Sequence, residues 1–121
     1  MLLCQTHETG LALVERLGAM GIEVAHTFGH DNQEARAHKF AFWMGRENIK
    51  VSTFHSFKGW EGCAIVAVIE DLMDNEAKAL IYMGLTRLKD SEMGSMLTVI
   101  SSNPLTYEFA KRWPGNIGES L

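Results

Sequence analysis

Residues 51–62 read VSTFHSFKGWEG, and the apolar run CAIVAVI follows them at 63–69. The first stretch begins with β-branched residues and the second is almost wholly apolar, a composition that is typical of short parallel strands buried on both faces. A loop crowded with polar and charged side chains therefore joins two predicted buried strands. Because binding and catalytic residues concentrate in loops at strand ends, this segment is the first candidate for a functional site.

Strands and helices alternate on both sides of this loop. Short apolar runs predict strands, and runs of helix-forming residues that stop near a glycine predict helices. We predict strands over 1–4, 22–25, 49–54, 64–69 and 96–100, and helices over 8–20, 33–44, 74–88 and from 104 to about 113. Asp74 or Asn75 is the expected N-cap of the third helix. This alternation predicts an α/β fold, with a mostly parallel sheet and helices on both faces.

The composition bounds the class of protein. A chain of 121 residues with 46% hydrophobic residues fits one domain over 1–121, and its net charge of -4 argues against a free-standing electrostatic binder of nucleic acid. Cys4 and Cys63 form no CxxC pattern, so we expect no disulfide framework or zinc ribbon and a reducing compartment, the cytoplasm. With no run of about 18 apolar residues and no basic-then-apolar leader, we expect neither a membrane span nor secretion.

The sequence lacks a phosphate-binding loop of its own. A self-sufficient nucleotide hydrolase of this fold class carries GxxxxGK[ST], whose backbone amides and lysine hold the phosphates. No glycine in this chain is followed by lysine, and GxGxxG is also absent. Nucleotide hydrolysis by this chain alone is therefore not expected.

Two stretches together resemble one helicase family. VSTFHSFKGWEG resembles motif V of superfamily 1 helicases of the UvrD and Rep type, usually T-x-H-x-x-K-G-x-E, and ALIYMGLTRLKD at 79–90 resembles their motif VI, usually Y-V-A/G-x-T-R-A. LLCQTHETGLALVERLGAMGIEVAH at 2–26 is similar to the strand and helix around their motif IV. The order and spacing are similar to the second RecA-like domain of that family. The resemblance implies a three-layer RecA-like domain, the C-terminal motor domain of a larger DNA helicase.

The resemblance also implies roles at a nucleotide. Arg87 corresponds to the arginine that reaches across the cleft to the γ-phosphate, a task that suits a permanently charged, bidentate guanidinium. Glu61 corresponds to the acceptor for a ribose hydroxyl, and Gly59 to a glycine that lets the backbone approach the nucleotide. Gln5 occupies the motif IV position that faces the nucleotide, where the family usually has a basic residue.

A second group of residues corresponds to contacts with nucleic acid. In the family these positions touch phosphate or sugar and carry no sequence information. The group consists of Thr53, His55, Ser56 and Lys58. Tyr82 and Thr86 correspond to residues that couple the nucleotide side to the nucleic-acid side. The strand bound is expected to be single-stranded DNA, with RNA left open.

The implied cofactor is ATP with Mg²⁺, bound mainly by an N-terminal RecA-like domain of the same protein. This chain would close on that domain and complete the ATP site, so by itself it should be inactive. Because ligands of open α/β sheets bind at the carboxyl ends of the strands, we expect both motifs to converge at that edge.

Metal binding is a competing interpretation of another segment. The stretch HTFGHDNQEARAH offers His26, His30, Asp31, Glu34 and His38, and the last two would share a helix face at i, i+4. No known zinc spacing is matched, and we predict no metal site.

Two further alternatives concern the whole chain. One is a free-standing binding or regulatory module derived from a helicase, without ATPase activity. Retention of Gly59, Glu61 and Arg87 argues against it, because a module without nucleotide does not need that combination. The other is a small α/β enzyme of unrelated chemistry, for which no set of nucleophile, base and orienting residue is recognisable.

Overall fold

A computed structural model describes residues 1–28, 33–34, 36–37, 49–70 and 74–112, without the side chain of Phe109, and the statements below concern these residues. The elements in chain order are β1 (Leu2–Cys4), α1 (His7–Ala19), β2 (Val24–His26), β3 (Ile49–Thr53), β4 (Ala64–Ile69), α2 (Asn75–Leu85), β5 (Met96–Ser101) and α3 (Pro104–Ala110). Residues 33–34 and 36–37 are also helical. The rest of the helix predicted over 33–44 lies outside the described residues.

The five strands form one sheet in the order β2-β3-β1-β4-β5, and every described pairing is parallel. The chain first moves from β1 to one edge of the sheet and later crosses over β1 to β4, so β1 is central. Parallel neighbours need crossover connections, which helices provide between β1 and β2 and between β4 and β5. The predicted mostly parallel α/β sheet is confirmed.

Side chains of the central strand alternate between two cores. Leu3 lies in the core that α2 covers, and Cys4 lies in the core that α1 covers, as the two-residue period of a strand requires. The α2-side core consists of Leu3, Phe54, Phe57, Ile65, Ala67, Ile69 and Ile81. The α1-side core consists of Cys4, Phe28 and Val51, with partly buried residues of α1 packed on it. With helices on both faces, the architecture has three layers.

Helix α2 begins where the sequence predicts and ends earlier. The Asp74 carboxylate accepts a hydrogen bond from the backbone N–H of Ala77, which makes Asp74 the N-cap. The helix ends at Leu85 rather than at the predicted Leu88, because Leu88 leaves the helical path to pair as a parallel bridge with Gly62. No helix among the described residues is long and apolar enough to cross a membrane.

Candidate nucleotide and nucleic-acid sites

The four predicted nucleic-acid contacts lie together at the carboxyl end of β3 and in the turn that follows it. Thr53 ends the strand, and its buried Oγ1 accepts a hydrogen bond of 3.1 Å from the backbone N–H of Ser56. This bond bends the chain into a turn, on which His55 and Lys58 are exposed and Ser56 is partly exposed. Thr53 therefore shapes the turn, and the other three side chains are accessible at its surface.

The second half of the segment returns along the sheet to the amino ends of the strands. Phe54 and Phe57 are buried, and Trp60 packs against the same core. Gly59 has a φ of +89°, in the region that favours glycine, so the turn before Trp60 depends on this residue. The loop thus begins at one end of the sheet and finishes at the other, where β4 starts.

The two helicase-like motifs meet at that second end. The backbone N–H of Gly62 donates to the carbonyl of Arg87 over 3.1 Å, and the N–H of Lys89 donates to the carbonyl of Gly62 over 2.8 Å. Glu61 is the neighbour of Gly62 and is exposed. The backbone segments that carry Glu61 and Arg87 therefore run side by side, so the expected convergence of the two motifs is confirmed.

The end of the sheet at which they meet is not the predicted one. Gly62 precedes β4, and the neighbouring carbonyl of Cys63 accepts from Met96, the first residue of β5. Arg87 and Glu61 thus lie at the amino ends of the strands, whereas only Thr53 and the turn after it lie at the carboxyl ends. The reason is the crossover: α2 starts after the carboxyl end of β4 and must carry the chain back to the amino end of β5.

Gln5 lies at the carboxyl end and does not share a site with Arg87. Its side-chain oxygen accepts a hydrogen bond from the backbone N–H of Glu70, which follows β4. The six residues of β4, Ala64–Ile69, separate the two ends of the sheet by roughly 17 Å at the rise of a parallel strand. Gln5 therefore lies at the opposite end of the sheet from Glu61 and Arg87, and its predicted contact with a nucleotide stays a prediction.

Gln5 instead lines a small crevice between the ends of β1 and β4. The crevice has a volume of about 290 Å³ and is lined by Gln5, Thr6, Glu70, Asp74, Glu76, Ala77 and Leu80. Both carboxylate oxygens of Glu70 accept hydrogen bonds from Thr9 Oγ1, at 3.0 and 2.9 Å. These contacts tie the end of β4 to the first turn of α1.

Arg87 has an unusual environment for a residue just beyond a helix. The residue is partly buried, and its Nε is fully buried with no hydrogen-bond partner among the described residues. Leaving such a donor unsatisfied costs about 1–3 kcal/mol or more, which an ordinary solvated arginine avoids. Because this nitrogen is shielded from solvent, a partner from outside the chain would reach it only if the side chain or its surroundings moved.

The two predicted coupling residues, one within α2 and one just beyond it, are both exposed. Tyr82 is 71% exposed. Thr86 is exposed, and its hydroxyl donates to the carbonyl of Met83, one turn back. Both border an apolar groove of about 750 Å³ between α2, β5 and α3. Their assigned role in coupling remains a prediction.

Sequence reasoning missed the residues that do join the two motifs. Phe54, of the first motif, packs against Gly84, of the second, so closely that a methyl group at Gly84 would lie 2.9 Å from Cε1 of the ring and nearer still to Cδ1. The available signal was Gly84, which stands at the motif VI position where the family pattern has alanine or glycine. A helix-interior glycine by itself does not reveal its neighbour, so the sequence does not predict this contact.

The alternative metal site receives no support from the described part of the chain. Within it, no group of three or more histidine, cysteine, aspartate or glutamate side chains is arranged to hold a metal ion. His30, Asp31 and His38 lie outside the described residues.

Comparison with solved structures identifies the fold. The chain is similar to the C-terminal part of the Fun30 ATPase domain, with a TM-score of 0.53 and 9% sequence identity, over 97% of this chain and 40% of that one. No protein-family model and no curated protein matches the sequence. The likeness shows a RecA-like three-layer α/β fold, and the chain spans less than half of the solved one.

Proposed function

We propose that this chain is the second motor domain of an ATP-dependent helicase of the superfamily 1, UvrD and Rep type. In this proposal it belongs to a larger protein, whose N-terminal RecA-like domain binds most of the nucleotide. The fold and the neighbour, itself part of an ATPase domain, support a motor domain in general. The motif resemblance supports the superfamily 1 assignment.

The observation that carries the proposal is the pairing of Gly62 with Arg87, together with the unsatisfied Nε of Arg87. Two segments that are far apart in sequence both carry helicase-like motifs, and the fold brings their backbones into hydrogen-bonding contact. Arg87 is partly exposed as a residue, so its cation fits a phosphate supplied from across a domain boundary, and its buried Nε would gain a partner only if the side chain or its surroundings moved. A module that binds no nucleotide would gain nothing from leaving that donor unsatisfied.

The two ends of the sheet would then have separate tasks. At the amino end, Arg87 donates to the terminal phosphates, Glu61 accepts from a ribose hydroxyl, and Gly59 lets the backbone approach. ATP with Mg²⁺ supplies the phosphoryl group whose transfer drives the motor, and a guanidinium stabilises the charge that develops there. At the carboxyl end, His55, Ser56 and Lys58 hold the backbone of single-stranded DNA.

Closing of this domain on its N-terminal partner would bring Arg87 to the nucleotide. Reopening after hydrolysis would withdraw it, a hinge motion of the kind that many two-domain enzymes use. Since the phosphate loop is absent here, the isolated chain should hydrolyse no ATP. If the purified chain hydrolysed ATP and lost this activity on Arg87→Ala substitution, the proposal that it needs a partner domain for hydrolysis would be contradicted.

A salt-controlled binding titration of the full-length protein tests the nucleic-acid end. Lys58→Ala should weaken binding of a single-stranded oligonucleotide and lower the slope of log affinity against log salt by about 0.7, the value for one lost contact to a single-strand phosphate. Lys89→Ala removes another exposed lysine, at the amino end, and should leave the slope unchanged. Equal effects of the two substitutions would refute the division between the ends.

A further inference from the structure

The segment 54–62, which we call the connecting loop, is fixed at both of its ends. At its start, the backbone N–H of Phe54 donates to the carbonyl of Cys4 over 3.0 Å, which ties it to the central strand. At its finish, Gly62 exchanges two backbone hydrogen bonds with the Arg87–Lys89 segment. The connecting loop therefore joins the two proposed sites and is held by backbone hydrogen bonds at both of them.

Phe54 links the start of this loop to helix α2 by a second route. Its side chain is fully buried, follows directly on Thr53 at the nucleic-acid end, and packs against Gly84. Gly84 lies three residues before Arg87, and its carbonyl accepts a hydrogen bond of 3.2 Å from the backbone N–H of Arg87. A shift of the ring would push on the last turn of α2 and hence on the arginine, because a packed core transmits displacement.

We infer that Phe54 is a positioning residue that couples occupancy of the nucleic-acid end to the placement of Arg87, through its contact with Gly84. This inference rests on the proposed function and names the route by which a bound strand would stimulate ATP hydrolysis. Tyr82 and Thr86 do not lie on this route, since both are exposed on the groove side of α2. Phe54 touches neither ligand and acts only through its neighbours.

The decisive quantity is the ratio of ATPase rates with and without a saturating poly-dT oligonucleotide, in the full-length protein. Both rates scale with the folded fraction, so a loss of stability alone leaves the ratio unchanged. Phe54→Val should lower the ratio about fivefold or more, the lower range of typical coupling between sites, without changing the basal rate or the oligonucleotide affinity. Phe57→Val is the matched control, because Phe57 is equally buried in the same loop and core.

A double substitution tests whether the contact with Gly84 is responsible. Gly84→Ala alone should also lower the ratio, since the added methyl group displaces the Phe54 ring. Phe54→Val removes both ring atoms that this methyl would meet. In the combined variant the two changes should compensate, and the ratio should recover to within about twofold of wild type, a non-additivity expected only for residues in contact.

The outcomes separate this inference from the proposed function. A wild-type ratio well above one that Phe54→Val leaves unchanged, or that Phe57→Val lowers equally, overturns the inference alone. Failure of the combined variant to recover overturns the role of the Gly84 contact. A wild-type protein whose ATPase does not respond to the oligonucleotide overturns the nucleic-acid half of the proposed function and this inference with it.

Discussion

Helices α1 and α2 lie on opposite faces of the sheet and are built on the same plan. Each begins near the carboxyl ends of the strands with a side-chain cap, Thr6 for α1 and Asp74 for α2. Each also brings a glycine against a buried phenylalanine, Gly10 against Phe28 on one face and Gly84 against Phe54 on the other. The close approach of helix to sheet therefore occurs on both faces of this molecule and does not by itself mark a functional site.

The two helices differ in the environment of the arginine near the C-terminal end of each. Arg16, in the last turn of α1, is exposed, as expected for a cation that complements the carboxyl end of a helix dipole. Arg87, just beyond α2, is partly buried with an unsatisfied Nε, and its backbone pairs with Gly62. The comparison teaches that shared architecture does not identify function, and that the unsatisfied donor of Arg87 is what distinguishes one helix end from the other.

The largest expected effect tests this contrast directly. Arg87→Ala in the full-length protein should reduce ATP turnover by about 10³ or more, the scale on which a charge-stabilising arginine contributes to phosphoryl transfer. Binding of single strands should stay nearly intact, since the turn proposed to contact nucleic acid lies at the other end of the sheet. Arg16→Ala is the matched control and should leave turnover unchanged in steady-state assays. Wild-type turnover by Arg87→Ala would show that its buried donor has no role in the chemistry.

The next effect concerns the packing that the two helices share. Gly10→Ala and Gly84→Ala should each lower the free energy of unfolding by about 1–3 kcal/mol, because an added methyl group overpacks the core at both places. Denaturant titration of the chain measures both.

Gly18→Ala serves as the control for these substitutions. Gly18 lies in α1 with nothing within 4 Å of an added Cβ, so alanine should be neutral or stabilise by up to about 1 kcal/mol. Destabilisation by Gly18→Ala equal to that of Gly10→Ala would show that helix glycines matter here for their backbone and not for close packing.

The sequence predicted which segments of the chain approach each other, but it did not predict at which end of the sheet they do so. The Asp74 cap, the parallel sheet and the approach of Glu61 to Arg87 were all predictable, because capping residues, strand composition and motif order are local signals. The end of the sheet at which Arg87 lies was predicted wrongly. That error came from applying the rule for ligands at carboxyl ends to a residue that follows, rather than precedes, a crossover helix.

Contacts across the core were the other feature that the sequence did not predict. Nothing local in the sequence pairs Gly84 with Phe54, or Gly10 with Phe28, since each pair forms only when a helix folds back on the sheet. The contact that Gln5 makes was not predictable for a similar reason. Its motif resemblance placed it at a nucleotide, whereas its hydrogen bond to the backbone of Glu70 depends on the pairing of β1 with β4.

The contribution of the α1-side core to the free energy of unfolding should depend on pH, because this core contains the Cys4 thiol. Burial, assisted by the negative charge of Glu70, raises the pKa of the Cys4 thiol to about 11, from an ordinary value near 9. A raised pKa means that folding favours the neutral thiol, so this contribution is complete below about pH 9 and is lost as the pH rises through 11.

Unfolding free energies measured at several alkaline pH values, with a Cys4→Ala comparison, test this expectation. The wild-type chain should lose more stability than Cys4→Ala over that interval. Parallel curves for wild type and Cys4→Ala would show that the buried thiol does not resist ionisation.

The smallest expected effects lie at the two caps. Thr6 Oγ1 accepts from the N–H of Thr9 over 3.2 Å, and the Asp74 carboxylate accepts from the N–H of Ala77 over 2.6 Å. Thr6→Ala and Asp74→Ala should each cost about 1 kcal/mol in thermal or denaturant unfolding. The loss at Asp74 should be the larger, because its charge also complements the positive end of the helix dipole and its bond is shorter. Asp74→Asn keeps the acceptor without the charge and should recover most of the loss, whereas a loss as large as that of Asp74→Ala would assign the effect to charge alone.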